Sequence, residues 1–154
     1  MEFAINLLIL IGTFFGMEFM AWFTHKYVMH GFLWTLHKDH HQPEKGWFER
    51  NDAFFLFYAT ISTFLFISWS EAWFAYGLSM GLGILFYGIT YFTVHDVFIH
   101  QRFKWFKKSD NAYFRAIRKA HKVHHKHLGK EKGECFGMLF VPWKFYKEAQ
   151  KAKQ

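Results

Sequence analysis

Three long apolar stretches dominate the hydropathy pattern of the chain. They run from Phe3 to Phe23, interrupted only by Asn6 and Glu18, from Ala53 to Trp69, and from Ala72 to Val94. A helix needs roughly 20 apolar residues, and at least about 17, to cross the hydrocarbon core of a bilayer. The stretches have no polar face to turn toward water, unlike the helices of a soluble bundle. The pattern therefore predicts an all-α integral membrane protein with three transmembrane helices.

The positions of the basic residues predict how the three spans are oriented. Residues 24–52 hold four of the nineteen Lys and Arg, residues 100–154 hold the other fifteen, and residues 1–23 and 53–99 hold none. Only Ser70 and Glu71 separate the second stretch from the third, which predicts a tight hairpin without a basic residue. By the positive-inside rule, 24–52 and 100–154 lie in the cytoplasm and the hairpin lies outside.

The last third of the chain predicts less regular structure. The apolar run Phe136–Trp143 (FGMLFVPW) is too short to span, so we expect an interfacial or re-entrant segment, with a fourth crossing as the alternative. Residues 109–127 predict a helix capped by Ser109 or Asp110, and residues 128–135 a polar loop. The tail after Lys147 is expected to fray. The length fits one domain, residues 1–154.

Composition agrees with a membrane protein that has a charged face. Hydrophobic residues make up 52%, aromatic residues 23%, and Phe alone 22 positions, yet the net charge is +7. Cys135 is the only cysteine, which excludes an internal disulfide and a CxxC zinc or redox pair. The N-terminal MEFAINLLIL has no basic n-region and no small-residue cleavage site, so it predicts an uncleaved span and not a signal peptide.

Ten of the eleven histidines fall into two copies of one pattern. Each copy is HxxxxH followed by HxxHH, and six residues separate the two motifs in the first copy and twenty in the second. The first copy is His25, His30, His37, His40 and His41; the second is His95, His100, His121, His124 and His125. Only His127 falls outside. Because spans one and three both end toward the predicted cytoplasmic side, the pattern predicts one histidine-rich metal centre there.

The spacing of the motifs supports ligation in part. In HxxHH the first histidine is i, i+3 and i+4 from the others, so the rings share a helical face, and the adjacent pair diverges enough to reach two ions. In HxxxxH the i, i+5 rings point about 140° apart on an ideal helix, so the helix would have to loosen there. Ten imidazoles match two ions with about five ligands each. Iron, copper, zinc and nickel all accept such ligands, and composition alone does not choose among them.

These motifs resemble the membrane fatty acid hydroxylase/sterol desaturase superfamily. The stretches HKYVMHGFLWTLHKDHH, VHDVFIHQRF and AHKVHHKH…ECFGMLFVPWKFY are similar to the bacterial β-carotene 3-hydroxylases within it. The resemblance implies two non-haem irons held by the ten histidines, O2 as co-substrate, and electrons from a ferredoxin/NAD(P)H system. It also implies hydroxylation at C3 of each β-ionone ring, giving zeaxanthin through cryptoxanthin, in the inner (cytoplasmic) membrane.

Other polar and aromatic residues suggest supporting roles. Glu18 lies two helical turns before His25 inside an apolar span, where a carboxylate is costly and often functional. Glu18, Asp39 and Asp96 are candidates to orient ligand imidazoles by accepting hydrogen bonds. The alternatives are a lone glutamate solvated through a neighbour for Glu18, and charges on the helix surface for Asp39 and Asp96. The aromatic residues of the spans are expected to line an apolar slot or to face lipid.

The basic segments predict the partners of the protein, and two other kinds of function compete with carotenoid hydroxylation. The Lys and Arg near residues 102–132 favour contact with anionic lipid and an acidic ferredoxin, and no nucleic acid is expected. The same site would also suit a related hydroxylase, ketolase or desaturase that acts on a fatty acid, a sterol or another carotenoid. A metal transporter or sensor is the alternative from another class, but it would need ligands within the spans or on both faces. The oligomeric state stays open.

Overall fold

A computed structural model describes residues 1–42, 46–103, 105, 109, 111–131 and 133–151. Over these ranges the chain forms helices and loops and contains no strand, which confirms the all-α prediction. Two of the helices are π-helices, which we label separately. In chain order the helices are α1 (Glu2–Phe23), π1 (Thr24–Phe32), α2 (Trp34–His41), α3 (Asp52–Ser70), α4 (Gly77–Tyr91), π2 (Phe92–Ile99), α5 (Ala112–His124) and α6 (Trp143–Lys151).

Three helical segments of the described chain are long and apolar enough to span a membrane. They are Glu2–Phe32, which joins α1 to π1, Asp52–Ser70, and Gly77–Ile99, which joins α4 to π2. The prediction of three spans is thereby confirmed. Residues 136–142 of the expected interfacial or re-entrant run Phe136–Trp143 are irregular, and Trp143 begins α6. The part of the chain that the structure describes holds no fourth spanning helix.

The turn between the second and third spans is longer than the predicted two-residue hairpin. The third helix begins at Gly77 and not at Ala72. The carbonyl of Ser68 accepts hydrogen bonds from the amides of Trp73 (2.8 Å) and Phe74 (3.1 Å), which closes α3. Ala72 takes a positive φ of 58°, which a continuing helix does not allow. The predicted start at Ala72 was wrong because residues 72–76 are apolar like the span, although the backbone reverses direction there.

Helix α4 packs against both α1 and α3 and forms the centre of the membrane region. Its glycines allow close approach: a Cβ on Gly83 would lie 2.8 Å from the Leu10 carbonyl oxygen of α1 and 2.7 Å from Thr13 Cβ. Close contact through small residues is how membrane helices associate without a hydrophobic driving force between them. The hydroxyl of Ser79 also donates to Asn6 Oδ1 at 2.7 Å, which joins α4 to α1 inside the span.

Helices α5 and α6 pair outside the membrane region through a small core. Ala116 and Ala120 of α5 are buried against Phe145 and Ala149 of α6. Helix α6 therefore continues to Lys151, and the prediction of fraying after Lys147 is wrong as far as that residue, because Ala149 packs on α5. Residues 152–154 lie outside the described part of the chain. The N-cap of α5 is Asn111, whose side chain accepts hydrogen bonds from two amides of the first turn.

The predicted cap residues of that helix take other positions. The Ser109 hydroxyl accepts a hydrogen bond from the Asn111 amide at 3.3 Å, so Ser109 precedes the cap. Asp110 lies outside the described residues. Helices π1, π2, α2 and α5 all lie toward the end of the bundle opposite the 71–76 turn, since α2 packs on π1 and α5 contacts π2. All ten motif histidines are therefore at one end of the molecule.

Candidate metal centre

The two HxxxxH motifs lie on the two π-helices. His25 and His30 are within π1, and His95 lies in π2 with His100 directly after it. A π-helix has i→i+5 hydrogen bonds, and the amide of His100 donates to the His95 carbonyl at 2.9 Å in this pattern. The i, i+5 rings therefore meet on one face: ring centroids are 5.1 Å apart for His25 and His30 and 4.6 Å apart for His95 and His100. The loosened helix that the spacing required is present.

The two HxxHH motifs lie at the C-terminal ends of α2 and α5. Among the described residues, the histidines form two groups whose nitrogens lie within 4.8 Å of one another. One group is His25, His30, His37, His41 and His124; the other is His40, His95, His100 and His121. His125 lies beside the second group, with its Nε2 2.8 Å from Nε2 of His121.

The grouping shows an exchange between the two sequence copies. The middle histidine of each HxxHH motif joins the group of the other copy: His124 lies with the first copy, and His40 with the second. The third histidines, His41 and His125, stack at 4.2 Å between ring centroids, where the two groups meet. The copies therefore interlock instead of each forming a separate half, and α2 and α5 must both be in place for either group to exist.

Most of the rings are fixed through Nδ1, which leaves Nε2 facing the group. The Nδ1–H of His25 donates to the Phe136 carbonyl (2.9 Å), that of His30 to Leu128 (2.9 Å), and that of His124 to Glu134 (3.0 Å). His37 Nδ1 lies 2.7 Å from Asn51 Oδ1. Partners of this kind hold the tautomer and the orientation of metal-binding histidines.

The nitrogens that face inward fit a bound cation. A carbonyl oxygen can only accept, so His30 and His124 both carry their proton on Nδ1, and their Nε2 lone pairs oppose each other at 3.1 Å. Two nitrogens held about 2.1 Å from one ion at 90–110° are about 3.0–3.4 Å apart. In the second group, the buried Nε2 atoms of His40 and His95 have no hydrogen-bond partner among the residues that the structure describes. One metal ion in each group would satisfy these four atoms.

Burial keeps the rings neutral, which ligation requires. Desolvation lowers the pKa of His37 and of His124 to about 3 and that of His41 to about 2, and repulsion from neighbouring imidazoles lowers it further for each ring. The pKa of His100 falls to about 2 and that of His125 to about 4, again mainly through burial. Protons therefore do not occupy these lone pairs at neutral pH, and a metal can.

The profile of the fatty acid hydroxylase family matches residues 10–146 of the chain. The chain belongs to the fatty acid hydroxylase family. It is 38% identical to a β-carotene hydroxylase of Pantoea ananas over 142 residues, which cover 89% of this chain and 78% of the relative. A β-carotene hydroxylase of Pseudescherichia vulneris is 37% identical and covers 89% of this chain and 77% of the relative. These comparisons confirm the predicted family.

The family resemblance extends to plants. The chloroplastic β-carotene 3-hydroxylase 1 of Arabidopsis thaliana is 36% identical over 138 residues, which cover 86% of this chain and 43% of that longer protein. No solved structure matches the chain.

Two of the predicted supporting carboxylates do not touch an imidazole. Within the described chain, Glu18 Oε1 accepts hydrogen bonds from the amides of residues 138, 139 and 140, at 2.8, 2.8 and 3.1 Å, and Oε2 accepts one from the Tyr87 hydroxyl at 2.7 Å. Asp39 accepts from the Arg50 amide. Each carboxylate instead holds a loop whose groups accept hydrogen bonds from histidines of the two groups, and a supporting role for Glu18 and Asp39 at the metal centre stays a prediction.

The third predicted carboxylate lies against a ring. Asp96 Oδ2 accepts from His95 Nδ1 at 3.2 Å, and Oδ1 accepts from Arg102 at 2.9 Å. Arg102 also donates to both carboxylate oxygens of Asp52, at 2.9 and 3.1 Å. This guanidinium ties the start of α3 to π2, so the spans and the histidine groups are held in register at the point where the chain leaves the membrane.

Several residues of the site were not found from the sequence. Glu49 accepts from His40 Nδ1 at 3.0 Å, and burial raises the pKa of its carboxyl. Asn51 holds His37, although its place before an apolar stretch is typical of a helix cap. The backbone carbonyls of Leu128, Glu134 and Phe136 have no side-chain signal at all. The sequence signal that could have pointed to one of these partners was Asn51, a polar residue just before the second span.

Proposed function

We propose that this protein is an O2-dependent β-carotene 3-hydroxylase that converts β-carotene to zeaxanthin through cryptoxanthin. The observation that carries the proposal is the likeness to β-carotene hydroxylases over most of the chain, at 34–38% identity for the bacterial relatives. The two buried histidine groups at the end of three apolar spans support it. A C40 hydrocarbon is dissolved in the bilayer, so a site at the mouth of the spans suits its delivery.

The ten histidines of the two copies are the proposed ligands of two iron ions. Bound iron would supply the activation of O2 and the oxidation of an unactivated C–H bond. Overall, R–H, O2, two electrons and two protons give R–OH and H2O. Iron is favoured over zinc for this reaction because it changes oxidation state. The set differs from the carboxylate-rich ligands of soluble di-iron bundles.

The protein's own residues hold the imidazole rings of this centre in place and exclude water from it. Nδ1 acceptors from three loop carbonyls, Asn51, Glu49 and Asp96 hold six rings in place, so little reorganisation is needed when the metals bind. The side chains of His37, His95 and His124 are at most 2% exposed. Exclusion of water protects a strong oxidant from side reactions.

The electron donor and the sidedness are part of the proposal. Exposed lysines follow the ligand histidines on α5 and the next loop: Lys122, Lys126 and Lys130. A basic surface beside the ligands His121 and His124 suits an acidic ferredoxin, which an NAD(P)H-dependent reductase would reduce. The proposed position of the histidine end, on the cytoplasmic side of the inner membrane, is supported by the basic residues of 24–52 and 100–154.

Expression in cells that accumulate β-carotene tests the proposal. We expect chromatography to show cryptoxanthin and then zeaxanthin, which are absent from cells that carry His124→Ala. Metal analysis of the purified protein should give about two irons per chain. Hydroxylation of a fatty acid or sterol with no polar carotenoid formed would overturn the substrate, and zinc without O2-dependent turnover would overturn the chemistry.

A further inference from the structure

The rings of the first histidine group are held by uncharged acceptors. His25, His30 and His124 each donate from Nδ1 to a backbone carbonyl. His37 donates from Nδ1 to the amide oxygen of Asn51 at 2.7 Å. Within the described chain, no carboxylate touches a ring of this group.

Two rings of the second group are held by carboxylates instead. His40 donates from Nδ1 to Glu49 at 3.0 Å, and His95 donates to Asp96 at 3.2 Å. The same two rings have a buried Nε2 without a hydrogen-bond partner among the described residues. Because an ionised carboxylate can only accept, the proton lies on Nδ1 and the Nε2 lone pair is free for a metal. Each carboxylate can therefore act on a bound ion through one imidazole.

The carboxylates on this side outnumber the cation that they share. Arg102 donates to both Asp52 and Asp96, so one guanidinium faces two carboxylates. Glu49 joins the same cluster, because its backbone amide donates to Asp52 Oδ2 at 3.1 Å while its carboxylate lies against His40. Among these side chains, three negative charges meet one positive charge. The second group therefore lies beside a net negative charge.

The surroundings of the first group are closer to neutral. The Glu18 carboxylate accepts from the amides of residues 138–140, behind the segment that covers the rings. The Lys26 ammonium lies 5.8 Å from the Phe136 ring, which meets the His25 ring edge-on at 5.5 Å. One negative and one positive charge thus lie beyond the covering layer and oppose each other.

We propose that Glu49 and Asp96 make the second group the position of lower reduction potential, so that an iron ion there becomes ferric first and is reduced last. This inference rests on the proposed di-iron function and assigns unequal roles to its two positions. A carboxylate on Nδ1 raises the basicity of the imidazole as a ligand, and its charge attracts Fe3+ more than Fe2+. Neutral carbonyl and amide acceptors form weaker hydrogen bonds and add no charge.

The unequal potentials set what the electron donor must achieve. In each step one electron passes from the reduced donor to one ferric ion, which becomes ferrous, and no covalent bond forms or breaks. Both positions are ferrous only when the donor can reduce the second group. Glu49 and Asp96 are positioning residues in this scheme, because they act on the ion through an imidazole and do not touch the reacting atoms.

Redox titration of the iron-loaded protein, followed by Mössbauer spectroscopy, tests the assignment without turnover. We expect two one-electron steps in the wild type. Asp96→Asn and Glu49→Gln remove the charge but keep an oxygen that can accept from the imidazole. Each should lower the preference for ferric over ferrous iron about tenfold, which raises the lower potential by about 59 mV, with a smaller shift of the higher one.

The reciprocal variant places a carboxylate on the first group. Asn51→Asp changes the acceptor of His37 Nδ1 from an amide to a carboxylate of nearly the same shape, so it should lower the higher potential by a similar amount. Disturbed packing would not move the two potentials in opposite directions. Glu148→Gln is the control, because it removes an exposed carboxylate that pairs with Lys119, and it should move neither step.

The outcomes separate this inference from the proposed function. Equal potentials in the wild type, unshifted steps in both charge-removing variants, or a larger shift of the higher step would overturn the inference. If both of these variants lose iron, the shift in Asn51→Asp decides the assignment alone. Fewer than two irons per wild-type chain would overturn both the inference and the di-iron assignment. If the steps and shifts appear but no zeaxanthin is made, the inference stands and the proposed substrate is wrong.

Discussion

Removing the Glu18 carboxyl should release the segment that holds His25 and His124, two of the proposed metal ligands. In Glu18→Ala the amides of Met138, Leu139 and Phe140 lose their acceptor. A buried amide without a partner costs about 1–3 kcal/mol, and here Met138 is buried whereas the other two are partly accessible. We therefore expect the docked segment to lose about 3 kcal/mol in all, which corresponds to roughly a hundredfold rise in its open population.

The opening of this segment should reduce metal binding. The carbonyls of Phe136 and Glu134, which accept from His25 and His124, belong to the same segment. Loss of such outer partners weakens metal affinity about 10–100-fold. Hydrogen exchange on the protein in detergent should show faster exchange of amides 136–140, and iron per chain should fall when the metal is titrated against a chelator.

Matched variants separate the hydrogen bonds from the charge. Glu18→Gln keeps a side-chain oxygen that can accept from the three amides, so it should retain most of the iron and most of the exchange protection. Tyr87→Phe removes only the bond to Oε2 and should have a smaller effect than Glu18→Ala. Glu2→Gln, at an exposed position of the same helix, is the control. Wild-type iron affinity and exchange in Glu18→Ala would refute the reasoning.

Three further predictions concern other parts of the molecule. His124→Ala should abolish hydroxylation while His127→Ala leaves most of it, as measured by product per chain, and substantial activity without His124 would contradict its place in the first group. Gly83→Val should separate α1 from α4, because even a Cβ would lie 2.8 Å from the Leu10 carbonyl oxygen, and the midpoint of thermal unfolding in detergent should fall, whereas an unchanged midpoint would argue against this packing. Burial raises the pKa of the Cys135 thiol from 9.0 to about 11, so thiolate is about 100-fold scarcer at pH 8 and alkylation by iodoacetamide should keep rising with pH to about 11, whereas a plateau near pH 9 would show an unshifted thiol.

The sequence by itself determined the membrane spans and the identity of the histidine pattern. Three long apolar stretches, of which only the first carries a charged residue (Glu18), satisfy their backbone in lipid as helices, so composition decides this part of the fold. The i, i+3, i+4 spacing of HxxHH likewise places three rings on one helical face without any tertiary information. Both properties depend on residues close together in the chain, which is why they could be predicted.

The pairing of the two copies was decided only by the tertiary structure. The i, i+5 spacing of HxxxxH required a helix wound more loosely than an α-helix, and π1 and π2 supply that winding. The exchange of His40 and His124 between groups depends on how α2 and α5 approach each other, which no local spacing encodes.

The partners of the histidines were also beyond the reach of sequence patterns. The carbonyls of Leu128 and Glu134 are backbone atoms that every residue carries, so their roles follow from position alone. Glu18 was singled out correctly as an unusual carboxylate within a span, but its amide partners lie about 120 residues away and its tyrosine partner 69 residues away. The sequence specified which chemical groups the protein has, and only the packing of distant segments determined which of them meet, because those contacts join residues far apart in the chain.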